Sequence, residues 1–173
     1  FLVIQSLKKL LISKNLSTSV GDEGGFAPMI SKNEEALKLI SNSIKKAGFV
    51  NGKDVSICLD VAANELFKNN KYAIDSKKYI SYKDTISFYS KIIKRFKIKS
   101  IEDPFAENDW KSWSDLHKKE NKVQIVGDDL YVTNLQRLKK GFLYQSSNSI
   151  LIKLNQIGTV SETLDVIRFA QSI

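Results

Sequence analysis

A chain of 173 residues with 42% hydrophobic and 27% charged residues can bury one sizeable core and is too apolar for a disordered tract. No run of about 18 apolar residues occurs, so no helical membrane span is expected. The net charge of +8 invites a nucleic-acid reading, but the lysines of "SIKKAG", "SKIIKRFK", "LHKKENK" and "RLKKG" are dispersed near helix C-termini, where cations suit the dipole, and no nucleic-acid partner is expected.

The opening "FLVIQSLKKLLISKN" is apolar first and basic after, the reverse of a secretory signal. Phe1, Ile4, Leu7 and Leu11 fall at helical spacing and predict an amphipathic helix. The chain starts without Met and is expected to belong to a longer one. Next comes "VGDEGGFAP", Val20 to Pro28, in which Asp22 and Glu23 precede a glycine pair. It is either a hinged surface loop or a mobile carboxylate able to reach into a site. Ser31 with Glu34 has a capping-box pattern ahead of "ALKLISNSIKKA", which Gly48 should close.

"VSICLD" predicts a strand, with the single cysteine, Cys58, as a buried reduced thiol and a cytosolic origin. "ELFKNNKYAIDSKKY" predicts a hairpin turning at the two asparagines. Ser81 starts the helix "YKDTISFYSKIIKRF", with Ile86, Tyr89, Ile93 and Phe96 on one face. "IKSIED" is the next strand. Asp109 then starts a short helix carrying Trp110, Trp113, Leu116 and the sole histidine, His117, read as a helix-end residue. "VQIVGD" is a strand, "LQRLKK" a helix that Gly141 should end, "SILIKL" a strand, and Thr159 with Glu162 starts the helix "TLDVIRFAQ". The strands are continuous apolar runs, the pattern of parallel strands covered on both faces, and from Val55 onward strands alternate with helices, which is α/β organisation.

Each of these apolar runs stops at a charged residue: Asp60, Glu102, Asp128 and Lys153. In a barrel of parallel strands such residues converge on the C-terminal face, where active sites are built. A doubly wound open sheet would spread them more widely along an edge. Three carboxylates crowded together repel, and a divalent cation relieves the repulsion. An all-oxygen set suits Mg²⁺, Mn²⁺ or Ca²⁺, and there is no His or Cys cluster for zinc. A lysine beside such a cation has its ammonium form destabilised and can act as a base. Together these groups could remove a proton next to a carboxylate and hold the resulting enolate. Asp103 and Asp129, the second acids of "ED" and "DD", are read as turn or cap residues.

"GDEGGFAP", "LDVAANE", "SIEDPFAENDW", "QIVGDDLYVTN" and "LIKLNQIGTVSET" occur in that order between about Leu16 and Gln171, and together they closely resemble the enolase family. The resemblance implies an α/β fold, a partial TIM-type barrel of about five of eight strands with helices outside. Residues 1–173 would be a fragment of a single barrel domain, without the family's N-terminal α+β domain and later strands. It implies Mg²⁺ held by Asp60, Glu102 and Asp128, with Lys153 as acceptor of the C2 proton of 2-phosphoglycerate. Glu23 would be the proton donor that helps the C3 hydroxyl leave, giving phosphoenolpyruvate; Glu23, Glu102, Asp128 and Lys153 would contact the substrate. A cytoplasmic protein is implied, sometimes also displayed at the surface or secreted, assembled as a homodimer or octamer. The family's upstream histidine and carboxylate, its serine loop and its later "SHRSGE"-type segment are absent from the sequence, and the fragment alone is expected to be inactive. The alternatives are a non-catalytic surface protein that binds host proteins, or a racemase or muconate cycloisomerase barrel, from which "GDEGGFAP" and "LNQIGT" distinguish it.

Overall fold

In the computed structural model, which describes residues 1–75 and 78–173, two helices come first: α1 (Leu2–Ser13) and α2 (Asn33–Lys46). They meet through Leu10, Leu11 and Leu39, against which Phe26 and Ile30 of the intervening loop also pack. The capping box expected at Ser31 does not start α2. Lys32 holds the cap position and its side chain makes no capping bond. A distant carboxylate substitutes, Asp75 Oδ1 accepting the Asn33 N–H at 3.0 Å. An orphan donor at a helix start needs an acceptor, and tertiary structure supplies one that local pattern could not reveal. The other end follows the rule, with Gly48 at φ +87° just past the helix.

Strand β1 (Ile57–Asp60) is followed by a small antiparallel sheet of β2 (Phe67–Lys68), β3 (Lys71–Asp75) and β4 (Lys78–Ile80). Asn69 and Asn70, at φ 50° and 57°, make the hairpin turn with both central residues left-handed, as type I′ requires. Ser76 and Lys77 of the segment read as a hairpin lie outside the described residues. Then come α3 (Tyr82–Phe96), β5 (Ile98–Glu102), α4 (Trp110–Lys119), β6 (Gln124–Gly127), α5 (Leu135–Tyr144), β7 (Ser149–Ile150), α6 (Leu154–Ile157) and α7 (Val160–Ser172). Ser81, Asp109 and Thr159 cap α3, α4 and α7 through their side chains, as their sequence positions predict. His117 falls in the last turn of α4, with Nδ1 2.8 Å from the Gln145 carbonyl oxygen.

Strands β1, β5, β6 and β7 form one parallel sheet in that order. Each new strand is laid beside the last without reversal, the winding of a barrel rather than of a doubly wound sheet. The sheet has four parallel strands among the described residues, where the resemblance implies about five, and β1 and β7 are its two edges. Ile101 and Ile125 of the sheet, Trp113 and Leu116 of α4, and Leu130 are fully buried in one continuous core.

Two further residues depart from their expected roles. Cys58 is exposed, not buried. Strand β1 is an edge strand and is covered on one face only, so Ile57 is buried while Cys58 and Asp60 are not. Gly141 does not end a helix; it is a buried interior residue of α5, whose left-handed cap is Gln145 at φ 53°. A Cβ on Gly141 would sit 2.4 Å from the Tyr131 ring. This glycine serves close packing, a demand that resembles a stop signal in sequence.

Candidate active site

Asp60 and Glu102 are register partners at the ends of β1 and β5, so their side chains leave the same face of the sheet. Val126 of β6 pairs with Glu102, and Asp128, two residues on, returns to that face. Lys153 follows the short β7: the Leu151 N–H still bonds the Gly127 carbonyl at 3.1 Å, and Lys153 keeps extended backbone, φ −126° and ψ 109°, as the residue that starts α6. Four charged groups thus stand at four consecutive strand ends.

The carboxylates of Glu102, Asp103 and Asp128 each offer an oxygen within 4.8 Å of the others. Asp60 lies outside this tighter group; its Oδ1 accepts the Ala62 N–H at 3.2 Å. Its charge still reaches Glu102. The Glu102 carboxyl is held above the ordinary carboxylate range by burial first, and then by the charges of Asp60, Asp103 and Asp128, with Lys153 opposing. Converging like charges of this kind fit a hard divalent cation with oxygen ligands.

Asp103 has a different task. It is 3% exposed, and its two oxygens accept the N–H groups of Asp128 and Asp129 at 3.0 and 2.9 Å. Burial pushes its carboxyl up to about 6, against the pull of those two bonds. With both oxygens bonded to backbone, Asp103 pins the turn that presents Asp128. Asp129 is tied by Asn64, which donates to Asp129 Oδ2 at 3.0 Å and accepts the Glu107 N–H at 2.9 Å. Asn64, from "LDVAANE", therefore links three strand-end loops. Sequence reasoning did not assign it that role, because its partners are far away in the chain.

Asp128 is buried, and both its oxygens are engaged. Lys153 Nζ donates to Oδ2, and Gln156 Nε2 donates to Oδ1 at 2.6 Å. Gln156 was also missed, although its spacing of three from Lys153 across a helix start would have suggested proximity. The hydrogen bond to Asp128 is the largest cause raising the Lys153 ammonium above its ordinary value. Carboxylates alone therefore work against the neutral base expected from sequence; that role needs positive charge placed on them.

Glu23 lies in a tight turn. The Gly21 N–H bonds the Gly25 carbonyl and the Gly24 N–H bonds the Gly21 carbonyl, each at 2.9 Å, with Gly24 at φ +81° and Val20 bridged to Phe26. Glu23 is exposed and makes no hydrogen bond or ion pair with Asp60, Glu102, Asp128 or Lys153. A cavity of about 880 Å³, lined by Tyr131, Phe142 and Ile150 among others, contains none of the four rim residues; the chemistry, not this hollow, marks the site.

A singly wound parallel sheet with carboxylates and a lysine on its C-terminal rim defines a barrel-type α/β protein with a rim site suited to a divalent cation. The particular family follows from comparison: the model of the enolase C-terminal TIM barrel domain matches residues 2–173, and the chain belongs to that family. It is 73% identical over all 173 residues to a protein named Enolase from Pelagibacter ubique (strain HTCC1062), of which it covers 41%. The chain thus spans about two-fifths of the length of that curated relative.

Proposed function

We propose that the chain supplies the metal-binding and proton-transfer rim of a Mg²⁺-dependent hydro-lyase. That enzyme dehydrates 2-phospho-D-glycerate to phosphoenolpyruvate in glycolysis, and the chain works as part of a longer cytoplasmic protein that assembles as a dimer or octamer. Family membership supports the reaction class. The observation that carries the reading is the placement of Asp60, Glu102, Asp128 and Lys153 at consecutive ends of one parallel sheet.

In this reading Asp60, Glu102 and Asp128 would hold Mg²⁺, whose charge, when bound, would stabilise the second negative charge that develops on the substrate carboxylate. Lys153 accepts the proton from C2. Its ammonium is favoured by Asp128 and, more weakly, by Glu102 and Asp129, so neutralising those carboxylates lowers its pKa and prepares it as a base. The C2 electron pair then forms the double bond to C3 as the C3 hydroxyl leaves. Glu23 donates the proton that turns that hydroxyl into water. Glu23 stands exposed on the Gly21–Gly25 turn, and in this reading that turn presents it to the C3 hydroxyl.

The 173-residue chain alone is proposed to be inactive, since β1 and β7 leave unpaired sheet edges of the kind that invite association. The test is Mg²⁺-dependent formation of phosphoenolpyruvate by the longer protein and by the isolated chain, followed by absorbance. Turnover by the longer protein that stops on chelation is the expected result. No turnover by it overturns the assignment, and turnover by the isolated chain overturns the claim of inactivity.

A further inference from the structure

Beyond Asp128, the chain turns through two successive β-branched residues in the left-handed region, Val132 at φ 43° and Thr133 at φ 51°. Side chains branched at Cβ avoid this conformation, and it persists only where surrounding structure enforces it. Here the Val132 N–H is bonded to the Asp128 carbonyl at 2.8 Å and the Asn134 N–H to the Tyr131 carbonyl at 2.8 Å. The result is to bury Thr133 completely, at 0% exposure, with its hydroxyl between two parts of the β7–α6 junction. Thr133 Oγ1 accepts the Lys153 N–H at 2.9 Å and donates to Gln156 Oε1 at 2.8 Å.

A hydroxyl has one proton to give, and this one goes to the amide oxygen of Gln156. The amide nitrogen must then face Asp128, and it does, at 2.6 Å from Oδ1. A reversed amide would set Oε1 against a carboxylate oxygen at the same distance. Together with the Lys153 ammonium on Oδ2, this closes a ring running from Asp128 through the Lys153 side chain and backbone, Thr133 and Gln156 back to Asp128.

We infer that Thr133 is a positioning residue: its hydroxyl sets the Lys153 backbone and the Gln156 amide so that Lys153 and Asp128 keep one mutual geometry. The inference rests on the reading of Asp128 and Lys153 as site residues. Groups that orient a ligating carboxylate typically matter by about 10- to 100-fold in metal affinity or activity when removed.

The experiment compares Thr133→Val, of similar shape without the hydroxyl, Thr133→Ser, which keeps the hydroxyl, and Gln156→Leu, at a half-buried position, in the longer protein. Readouts are kcat and KM for 2-phosphoglycerate, Mn²⁺ affinity by electron paramagnetic resonance without substrate, and the unfolding midpoint. Thr133→Val should lower kcat or Mn²⁺ affinity by about 10- to 100-fold with KM little moved. Thr133→Ser should restore most of the loss, and Gln156→Leu should add little to the Thr133→Val effect, because the two act through one ring. Wild-type kcat and Mn²⁺ affinity in Thr133→Val, failure of Thr133→Ser to rescue, or fully additive losses would overturn it. Should Thr133→Val not fold, Gln156→Leu decides by the same two readouts. If the longer protein shows no dehydration at all, the proposed reaction fails, while Mn²⁺ affinity across the three variants still judges the positioning role.

Discussion

Lys153, which starts α6, donates its ammonium to Asp128 Oδ2 across 25 residues of sequence. The Asp128 side chain is 8% exposed and that of Lys153 44%, so a solvent-facing cation neutralises a buried acid. A buried carboxylate without a partner is costly, and Lys153 is the internal counter-ion that makes this placement tolerable in the free protein.

Removing that cation separates two roles. In the longer protein, Lys153→Ala should abolish exchange of the C2 proton of 2-phosphoglycerate with solvent, followed by NMR in D₂O. Mg²⁺ affinity, measured by calorimetry, should be retained or increased, because a competitor for Asp128 has gone. Loss of Mg²⁺ binding would instead make Lys153 a structural support of the rim.

Glu23 offers the opposite combination. It is exposed and makes no bond to the rim, and substitutions at such positions usually change stability by less than about 0.5 kcal/mol. Glu23→Gln should leave the unfolding midpoint unchanged in denaturant and lower turnover of the longer protein sharply. Turnover equal to wild type would remove Glu23 from the proposed mechanism.

The difference between these two residues also explains what the sequence could reveal. Strand ends are readable because a continuous apolar run that stops at a charged residue marks both the element and its rim, which located Asp60, Glu102, Asp128 and Lys153. The caps at Ser81, Asp109 and Thr159 were legible for a similar reason: donor and acceptor are three residues apart. Roles set by distant partners were not. Asp75 caps α2 from 42 residues away, Asn64 reaches Asp129 across 65, and Gly141 looked like a helix stop because its partner, Tyr131, cannot be identified from local spacing. Cys58 was misjudged because apolar neighbours suggest burial on both faces, whereas β1 is an edge strand.

Tyr72 gives a prediction about pH. Its hydroxyl donates to Asp109 Oδ2 at 2.7 Å and accepts the Ala106 N–H at 3.1 Å, joining the small sheet to the loop before α4. Burial, chiefly, pushes its ionisation far up, with the Ala106 N–H opposing and Asp109 adding to the rise; burial does the same to Tyr89. A group whose folded pKa lies above its unfolded value contributes stability that is complete below the unfolded value and is lost as pH rises past it. For tyrosine that value is about 10, so the urea midpoint should decline as pH climbs above about 10. Tyr72→Phe leaves Asp109 and the Ala106 N–H short of a partner and should cost roughly 1–3 kcal/mol at neutral pH, with a shallower alkaline decline. An alkaline slope identical to wild type would show that Tyr72 does not set it.

Gly141→Ala tests which of two opposed effects wins. Alanine in a helix interior is favoured over glycine by about 1 kcal/mol, which alone predicts a gain for α5. Against it, the new Cβ would lie 2.4 Å from the Tyr131 ring carbon Cε1 and from its hydroxyl oxygen. Tyr131 cannot retreat easily: it is 1% exposed, its hydroxyl shares a 2.6 Å hydrogen bond with Ser147, and a Cβ on Gly127 would meet the same ring at 2.6 Å. The ring is therefore held between two glycines, and overpacking of this kind costs typically about 1–3 kcal/mol. The net expectation is a lower midpoint in urea. Gly25→Ala, where a Cβ would meet nothing within 4 Å, should be near neutral. Shortening the ring with Tyr131→Leu should make Gly141→Ala less damaging than in the wild type, since the two residues contest one space. A midpoint that rises in Gly141→Ala would mean that helix propensity, not the Tyr131 contact, governs this position.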